Sequence, residues 1–133
     1  MFDALMPQNQ EWVKSAPVLV IGLARKNSAR NGAPNRFAMY DLGQAVGQLL
    51  VEATSLGLVV HQMGGFDPEK ARKNLSVPDT HEIGSIMTIG YIGDPSTLSE
   101  QLKEREFGPR SRNPLSEFVF EGAFGGASEL PTA

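Results

Sequence analysis

The sequence predicts a β-sheet that is covered by helices on both faces. Two short β-branched apolar runs, residues 16–24 and 58–63, and a third apolar run over residues 83–92 have the length and composition of buried strands. Between the first two runs, apolar residues recur every three or four positions, which indicates one long helix. Strands that alternate with helices are typical of a sheet between helical layers, and the strand order stays open.

Length and composition restrict the class of protein. The 133 residues fit one compact domain, which we place at residues 1–125, and residues 126–133 have the low apolar content of a flexible tail. The absence of cysteine excludes disulfides and thiolate chemistry. A net charge of −3 argues against nucleic acid as a partner, and no apolar run approaches the roughly 18 residues that span a membrane. Because the N-terminus has no secretory signal pattern, we expect a cytoplasmic protein.

The long helix is predicted between Asn35, the expected N-cap, and Gly57, the expected residue just after its C-terminal end. Gly43 and Gly47 lie four residues apart on one side of this helix, where another backbone could approach closely. We therefore expect tight helix packing at this side, for which the axis of a dimer is a candidate.

Two adjacent glycines, Gly64 and Gly65, follow the second strand directly. Glycine inside a regular element costs roughly 0.5–1 kcal/mol relative to alanine, so the pair indicates unusual torsions or a close backbone neighbour. A helix then begins, with Asp67 expected at the N-cap and Pro68 at the first helical position. Since those two residues already specify the helix start, the turn alone does not explain both glycines.

The last part of the chain is expected to contain a polar helix within residues 95–106. Further on, the segment "SEFVFE", residues 116–121, places two phenylalanines at alternate positions. This segment could form an edge strand, or it could reach over and pair with the sheet of a partner subunit.

Basic residues cluster in the loop after the first strand. The loop is rich in Asn, Gly and Pro, a composition that favours a solvated surface connection. Its four cations are Arg25, Lys26, Arg30 and Arg36.

A second basic motif consists of Arg110 and Arg112, which lie between Gly-Pro and Asn-Pro. The prolines stiffen an extended loop, in which residues two apart project to the same side of the backbone. Two guanidinium groups in this arrangement suit a phosphate or a carboxylate. The alternative is an ordinary pair of surface arginines.

The two histidines give little support for a metal site. His61 and His81 are far apart in the chain, and neither has a second histidine or a carboxylate pair at helical spacing. We interpret His61, on an apolar strand, as a hydrogen-bonded core or site-lining residue and His81 as a surface residue. No nucleophile motif or acid/base pair is found, so no metal and no catalytic residue is nominated.

Five segments taken in order resemble the nitroreductase family of flavin-dependent oxidoreductases: "APVLVIGLA", "GAPNRFAMYDLGQAVGQLLVEATSLGL", "HQMGGFDPEKAR", "IGSIMTIGYIGDP" and "PRSRNPLSEFVFEG". The most specific pieces are the Gly-Gly-Phe turn, the Tyr-Asp-Leu-Gly helix segment and the Arg-Ser-Arg motif. The resemblance implies an α+β fold with a mixed central sheet between helices. It also implies a homodimer with a long interface helix and FMN at the dimer interface.

The resemblance further implies a reaction and a set of binding residues. NAD(P)H would reduce the flavin, which would pass a hydride to a nitroaromatic, a quinone or a similar small-molecule electron acceptor. In the family, the turn after the strand lays backbone amides against the reactive edge of the flavin, neighbouring residues line the ring, and the late basic loop binds the phosphate. The cofactor-binding residues implied here are Gln62, Met63, Gly64, Gly65, Arg110 and Arg112.

The chain resembles only the C-terminal two-thirds of family members. It lacks their arginine- and serine-containing N-terminal segment, which binds the same phosphate, so we expect an N-terminally truncated form. Two functions are therefore open: a nitroreductase-type oxidoreductase, and a non-catalytic dimeric remnant that binds flavin weakly or not at all. A weaker third hypothesis is the binding of another phosphate ligand by the arginine loop alone.

Overall fold

A computed structural model describes residues 1–128 of the chain. Its contacts form two compact units, Met1–Asp94 and a second unit that begins at Pro95. The organisation of residues 1–125 as one domain therefore stays a prediction. Most of the expected tail, residues 129–133, lies outside the described part.

The first unit contains a three-stranded sheet formed by β1 (Val18–Arg25), β2 (Val59–Met63) and β3 (His81–Gly90), in the order β1-β3-β2. The central position of β3 confirms the prediction from its apolar residues on both faces. The α+β class is confirmed as well. Both strand pairs are antiparallel, so the described residues include no parallel pair of the kind that a mixed sheet contains.

Four α-helices accompany the sheet in the described residues, three in the first unit and one in the second. Their bounds are α1 (Pro7–Val13), α2 (Ala38–Ser55), α3 (Pro68–Asn74) and α4 (Glu100–Glu106). Short 3-10 turns lie at Phe2–Ala4, Pro95–Thr97 and Leu115–Glu117.

The sheet packs between helices on both of its faces, as expected. On one face, α2 contacts all three strands. On the other face, α1, α3 and the N-terminal turn enclose a core of Ala4, Leu5, Val13, Met63, Ala71, Ile83 and Ile86. A bulge between β1 and β3 places Gly22 opposite two residues of β3, and this lets Ile83 and Ile86 share that core.

The two ends of α2 differ in how well the sequence predicts them. Gly57 has a φ of +73°, the left-handed conformation expected after a helix C-terminus. The expected N-cap was wrong, because the N-cap residue is Phe37 and not Asn35. The Asn35 side chain instead accepts a hydrogen bond from the Phe37 amide at 3.1 Å, which closes a local turn before the helix begins.

The start of α3 agrees with its sequence signals. Asp67 is the N-cap, and its carboxylate accepts a hydrogen bond from the Lys70 amide at 3.0 Å. Pro68 occupies the first helical position. The strand-to-helix turn is therefore completed by Asp67 and Pro68, and the glycines before them have a separate role.

In the second unit, no residue from 95 to 128 is buried. The segment 116–121 forms no strand, which corrects the expectation of an edge strand within this chain. Pro114 precedes a 3-10 turn, and the amides of Phe118 and Val119 donate to the Leu115 carbonyl at 3.1 and 2.8 Å. These turn hydrogen bonds use the amide groups that a strand ladder would need.

Candidate functional site

The N-terminal segment fixes Gly65 in place. The Gly65 carbonyl accepts hydrogen bonds from the Met6 amide at 3.0 Å and from the Asn9 side-chain amide at 2.9 Å. A Cβ atom on Gly65 would lie 2.9 Å from the same Asn9 nitrogen. The lack of a side chain at Gly65 is thus explained by packing within the chain.

Gly64 has no such explanation. No atom lies within 4 Å of the position that its Cβ would occupy, and its φ is outside the left-handed region. Within residues 1–128, neither packing nor torsion therefore requires a glycine at position 64. The backbone of Gly64 is open at the end of β2, where a flat ligand could lie against it.

The amide nitrogens of Gly64 and Gly65 are candidate donors to a ligand. In residues 1–128, neither Gly64 nor Gly65 donates a backbone hydrogen bond to a loop or turn residue. A backbone N–H group needs an acceptor, and a ligand that lies against the turn could supply one. The two hydrogen bonds that the Gly65 carbonyl accepts, from Met6 and Asn9, hold the turn in one conformation.

The two residues before the glycines face opposite sides of the sheet. The Gln62 side chain is exposed on the face that carries α2, and Ser85 Oγ lies 3.5 Å from Gln62 Oε1. Met63 is only 3% exposed and belongs to the core beside Ile86. Because its side chain is used in the core, Met63 can offer only its backbone to a ligand at the turn.

Arg110 and Arg112 lie in the second unit, in a segment without regular secondary structure. Both residues are exposed, and neither makes an ion pair in residues 1–128. Arg112 Nη1 donates to the carbonyl of Ser111 at 2.8 Å. The remaining guanidinium donors are accessible to an anion.

The structure rules out a core position for His61 and shows that His81 is not fully exposed at the surface. His61 is exposed, and its ring lies 4.7 Å from the ring of Trp12 with a tilt of 56°. His81 is half-buried, and its Nδ1 lies 3.0 Å from Thr80 Oγ1. No group of three His, Cys, Asp or Glu side chains in residues 1–128 is arranged to hold a metal ion.

The outer side of α2 carries an exposed strip that combines small and apolar residues. Tyr40 is 65% exposed and Val51 72% exposed. Between them, Gly43 and Gly47 have no atom within 4 Å of their Cβ positions. An open groove of about 420 Å³ runs along this side, lined by Gln44, Gly47, Gln48, Val51 and Glu52. The close neighbour expected at these glycines is absent from residues 1–128.

None of the helices in residues 1–128 is long and apolar enough to cross a bilayer.

Comparisons with known proteins agree on one family. The model of the nitroreductase family matches residues 4–91. An uncharacterized 15.4 kDa protein encoded in the ask 5′ region of Mycolicibacterium smegmatis is 33% identical over 121 residues, which are 91% of this chain and 80% of that protein.

Solved structures show the same relationship. An oxidoreductase containing FMN superposes with a TM-score of 0.85 at 34% identity over 95% of this chain, and this chain spans 65% of its length. A nitroreductase family protein from Clostridium difficile 630 superposes with a TM-score of 0.58 at 25% identity, over 84% of this chain and 62% of that one. The family match over residues 4–91 includes β1, α2, β2 and β3, and with them the Gly64–Gly65 turn. The chain therefore belongs to the nitroreductase family.

Proposed function

We propose that this protein is an FMN-dependent NAD(P)H oxidoreductase of the nitroreductase type. It would transfer a hydride through the flavin to a nitroaromatic, a quinone or a similar acceptor. A homodimeric assembly and a cytoplasmic location are parts of the same proposal. Support comes from the family match and from the FMN-containing relative at 34% identity.

The observation that carries the proposal is the open backbone at Gly64. Apart from its chain neighbours, a Cβ at this position would have no atom of residues 1–128 within 4 Å. Glycine there permits a flat ring system to approach the backbone. The amides of Gly64 and Gly65, without acceptors in turns or loops of residues 1–128, suit the electronegative edge of a flavin.

Bound FMN would supply the hydride chemistry, and the protein would supply binding, orientation and electrostatics. The amides of Gly64 and Gly65 would donate hydrogen bonds where negative charge develops on the ring. These donors need little reorganisation, because Met6 and Asn9 already hold the Gly65 carbonyl. Arg110 and Arg112 would bind the phosphate through charge-assisted hydrogen bonds.

A second copy of the chain is the partner that we propose for the outer side of α2. The exposed strip at Gly43 and Gly47 permits close approach of another helix, and the flanking Tyr40 and Val51 offer apolar surface. An isologous contact would bring the same strip of both subunits together.

Flavin reconstitution tests the proposal. The purified chain is incubated with FMN, freed of unbound flavin, and examined for the visible flavin absorbance and for NADPH oxidation with a nitroaromatic acceptor. We expect a yellow protein that turns over, and a loss of bound flavin in the Arg110→Ala plus Arg112→Ala variant. Arg105→Ala, which removes an exposed arginine of α4, is the matched control and should retain flavin.

The alternative function is a non-catalytic dimeric remnant with weak or no flavin binding. The chain spans 65% of the length of the FMN-containing oxidoreductase. A colourless protein that takes up no FMN and oxidises no NADPH would support this alternative and exclude the enzymatic proposal.

A further inference from the structure

The loop of residues 25–36, called the basic loop below, concentrates positive charge without neutralising it. It contains four of the 12 Lys and Arg residues of the chain and no Asp or Glu. The four cations are exposed, and none of them makes an ion pair in residues 1–128. In a chain with a net charge of −3, such a cluster is a site of positive potential that attracts anions.

Backbone hydrogen bonds order the basic loop. Its ends are joined by the Asn35 amide, which donates to the Lys26 carbonyl at 2.7 Å, and the Lys26 amide donates to the Thr80 carbonyl at 2.9 Å. Further out, the Ser28 amide donates to the Ala33 carbonyl at 2.8 Å. The cations therefore project from an anchored turn, and binding a ligand costs less backbone entropy than it would in a disordered loop.

Strand topology places the basic loop at the same end of the sheet as the Gly64 turn. Both β1 and β2 are antiparallel to the central strand β3, so the C-terminal ends of β1 and β2 lie at the same end of the sheet. Ile21 and Met63 pair with the same residue, Ile86, and Arg25 lies four residues beyond Ile21. Strand geometry then separates the Cα atoms of Arg25 and Met63 by roughly 16 Å. The basic loop and the Gly64 turn therefore lie at the same end of the sheet, where one extended ligand could contact both.

We infer that Lys26, Arg30 and Arg36 bind the ribose phosphate of NADPH while its nicotinamide reaches the Gly64 turn. This inference rests on the proposed function and adds a determinant of reductant choice to it. The additional phosphate of NADPH carries about −1.5 to −2 charge that NADH lacks. The basic loop thus favours NADPH over NADH.

Calorimetric titration with NADP⁺ and with NAD⁺ tests the inference on the FMN-treated 133-residue chain. We expect the wild type to bind NADP⁺ about tenfold or more tightly than NAD⁺, as the loss of one charge-assisted contact alone is worth about that factor. The triple variant Lys26→Gln, Arg30→Gln, Arg36→Gln should lose this preference, with a smaller change for NAD⁺. Arg30→Gln alone, a milder change, should reduce it in part.

Lys14→Gln is the matched control. Lys14 is exposed and precedes β1, so it lies at the opposite end of that strand from the basic loop. The control removes one positive charge, as Arg30→Gln does, and should leave the NADP⁺ preference unchanged. All substituted side chains are exposed, and circular dichroism of each variant confirms that its fold is retained.

Equal affinities of the wild type for NADP⁺ and NAD⁺, or an unchanged preference in the triple variant, would overturn the inference. The visible absorbance of the same samples reports FMN uptake separately. A protein that binds FMN without preferring NADP⁺ refutes the role of the basic loop and leaves the proposed function standing. A protein that prefers NADP⁺ but takes up no FMN supports the role of the loop and refutes the proposed function.

Discussion

The side-chain amide of Asn9 donates a 2.9 Å hydrogen bond to the carbonyl of Gly65 and lies where a Cβ on Gly65 would need space. The two residues are 56 positions apart in the chain, and their contact attaches the start of α1 to the turn after β2. It separates the roles of two adjacent glycines, because Gly65 accommodates Asn9 while Gly64 faces open space.

A double-mutant cycle tests this contact. Gly65→Ala should displace the Asn9 amide and remove its hydrogen bond, and Asn9→Ala removes the same bond directly. Each single variant should lower the free energy of unfolding by about 1 kcal/mol. The double variant should be little worse than either, because the second change has no contact left to break. Urea unfolding measures all four proteins, and additive losses would show that the contact does not couple the two sites.

Gly64→Ala should separate stability from cofactor binding. Because a Cβ at Gly64 meets no atom within 4 Å, we expect an unchanged free energy of unfolding, or a gain of about 0.4–1 kcal/mol from the less flexible unfolded chain. The affinity for FMN should fall, since the methyl group would occupy the space proposed for the ring. Fluorescence titration with FMN measures this effect, and an affinity equal to that of the wild type would contradict the proposed position of the flavin.

Gly84→Ala should destabilise the packing of α2 on the sheet. A Cβ on Gly84 would lie 2.6 Å from Leu42 Cδ2, so that the helix or the leucine must shift. We expect a loss of about 1–3 kcal/mol in the free energy of unfolding. Gly22→Ala is the control on the neighbouring strand, since its Cβ would meet the same leucine at 3.4 Å. Thermal unfolding of both variants should rank Gly84→Ala as the less stable.

Gly47→Leu should weaken the proposed dimer without weakening the fold of the subunit. Gly47 is exposed within α2, and replacing glycine with leucine improves intrinsic helix propensity by up to about 1 kcal/mol. The added side chain blocks close approach of another helix at the exposed strip. Sedimentation velocity over a range of concentrations should show dissociation at higher concentration than for the wild type. Ala45→Leu, on a different side of α2, is the control, and equal effects of both variants would argue against this interface.

Asp3 should make stability depend on acid pH. Its carboxylate accepts a 2.9 Å hydrogen bond from the Asn74 side chain and lies 3.7 Å from Lys70 Nζ. Desolvation acts to raise the pKa of Asp3, but the Asn74 hydrogen bond and the positive charges of Lys70 and the N-terminus together lower it from its ordinary value of 3.8. Ionised Asp3 thus stabilises the folded chain above that value, and this contribution is lost as the pH falls through the lowered pKa.

Asp3→Asn should therefore be less stable than the wild type at neutral pH, and the difference should shrink as the pH falls below 3.8. Urea unfolding at a series of pH values measures this difference. Asn74→Ala should reduce the same pH dependence without removing the carboxylate. A stability difference that stays constant from neutral to acid pH would contradict the assignment.

Local signals in the sequence predicted several elements of the fold. Asp67 and Pro68 specify the start of α3, and Gly57 the end of α2, because each acts on backbone groups within one helical turn. The apolar run within residues 83–92 indicated a central strand, since a near-continuous apolar sequence is typical of a strand that is covered on both faces. Asn35 was wrongly predicted as the N-cap of α2, because its side chain accepts a hydrogen bond from the Phe37 amide in a local turn before the helix.

The sequence by itself thus determined the order of the strands and helices in the first unit, the helix start at Asp67 and the family. Tertiary structure decided which of the two glycines is open, that the Met63 side chain is used in the core, and that the basic loop and the Gly64 turn share one end of the sheet. Helix ends and periodicity depend on neighbours within a few residues, which a sequence displays directly. The contact of Asn9 with Gly65, and the lack of any such contact at Gly64, arise only when distant parts of the chain are packed together.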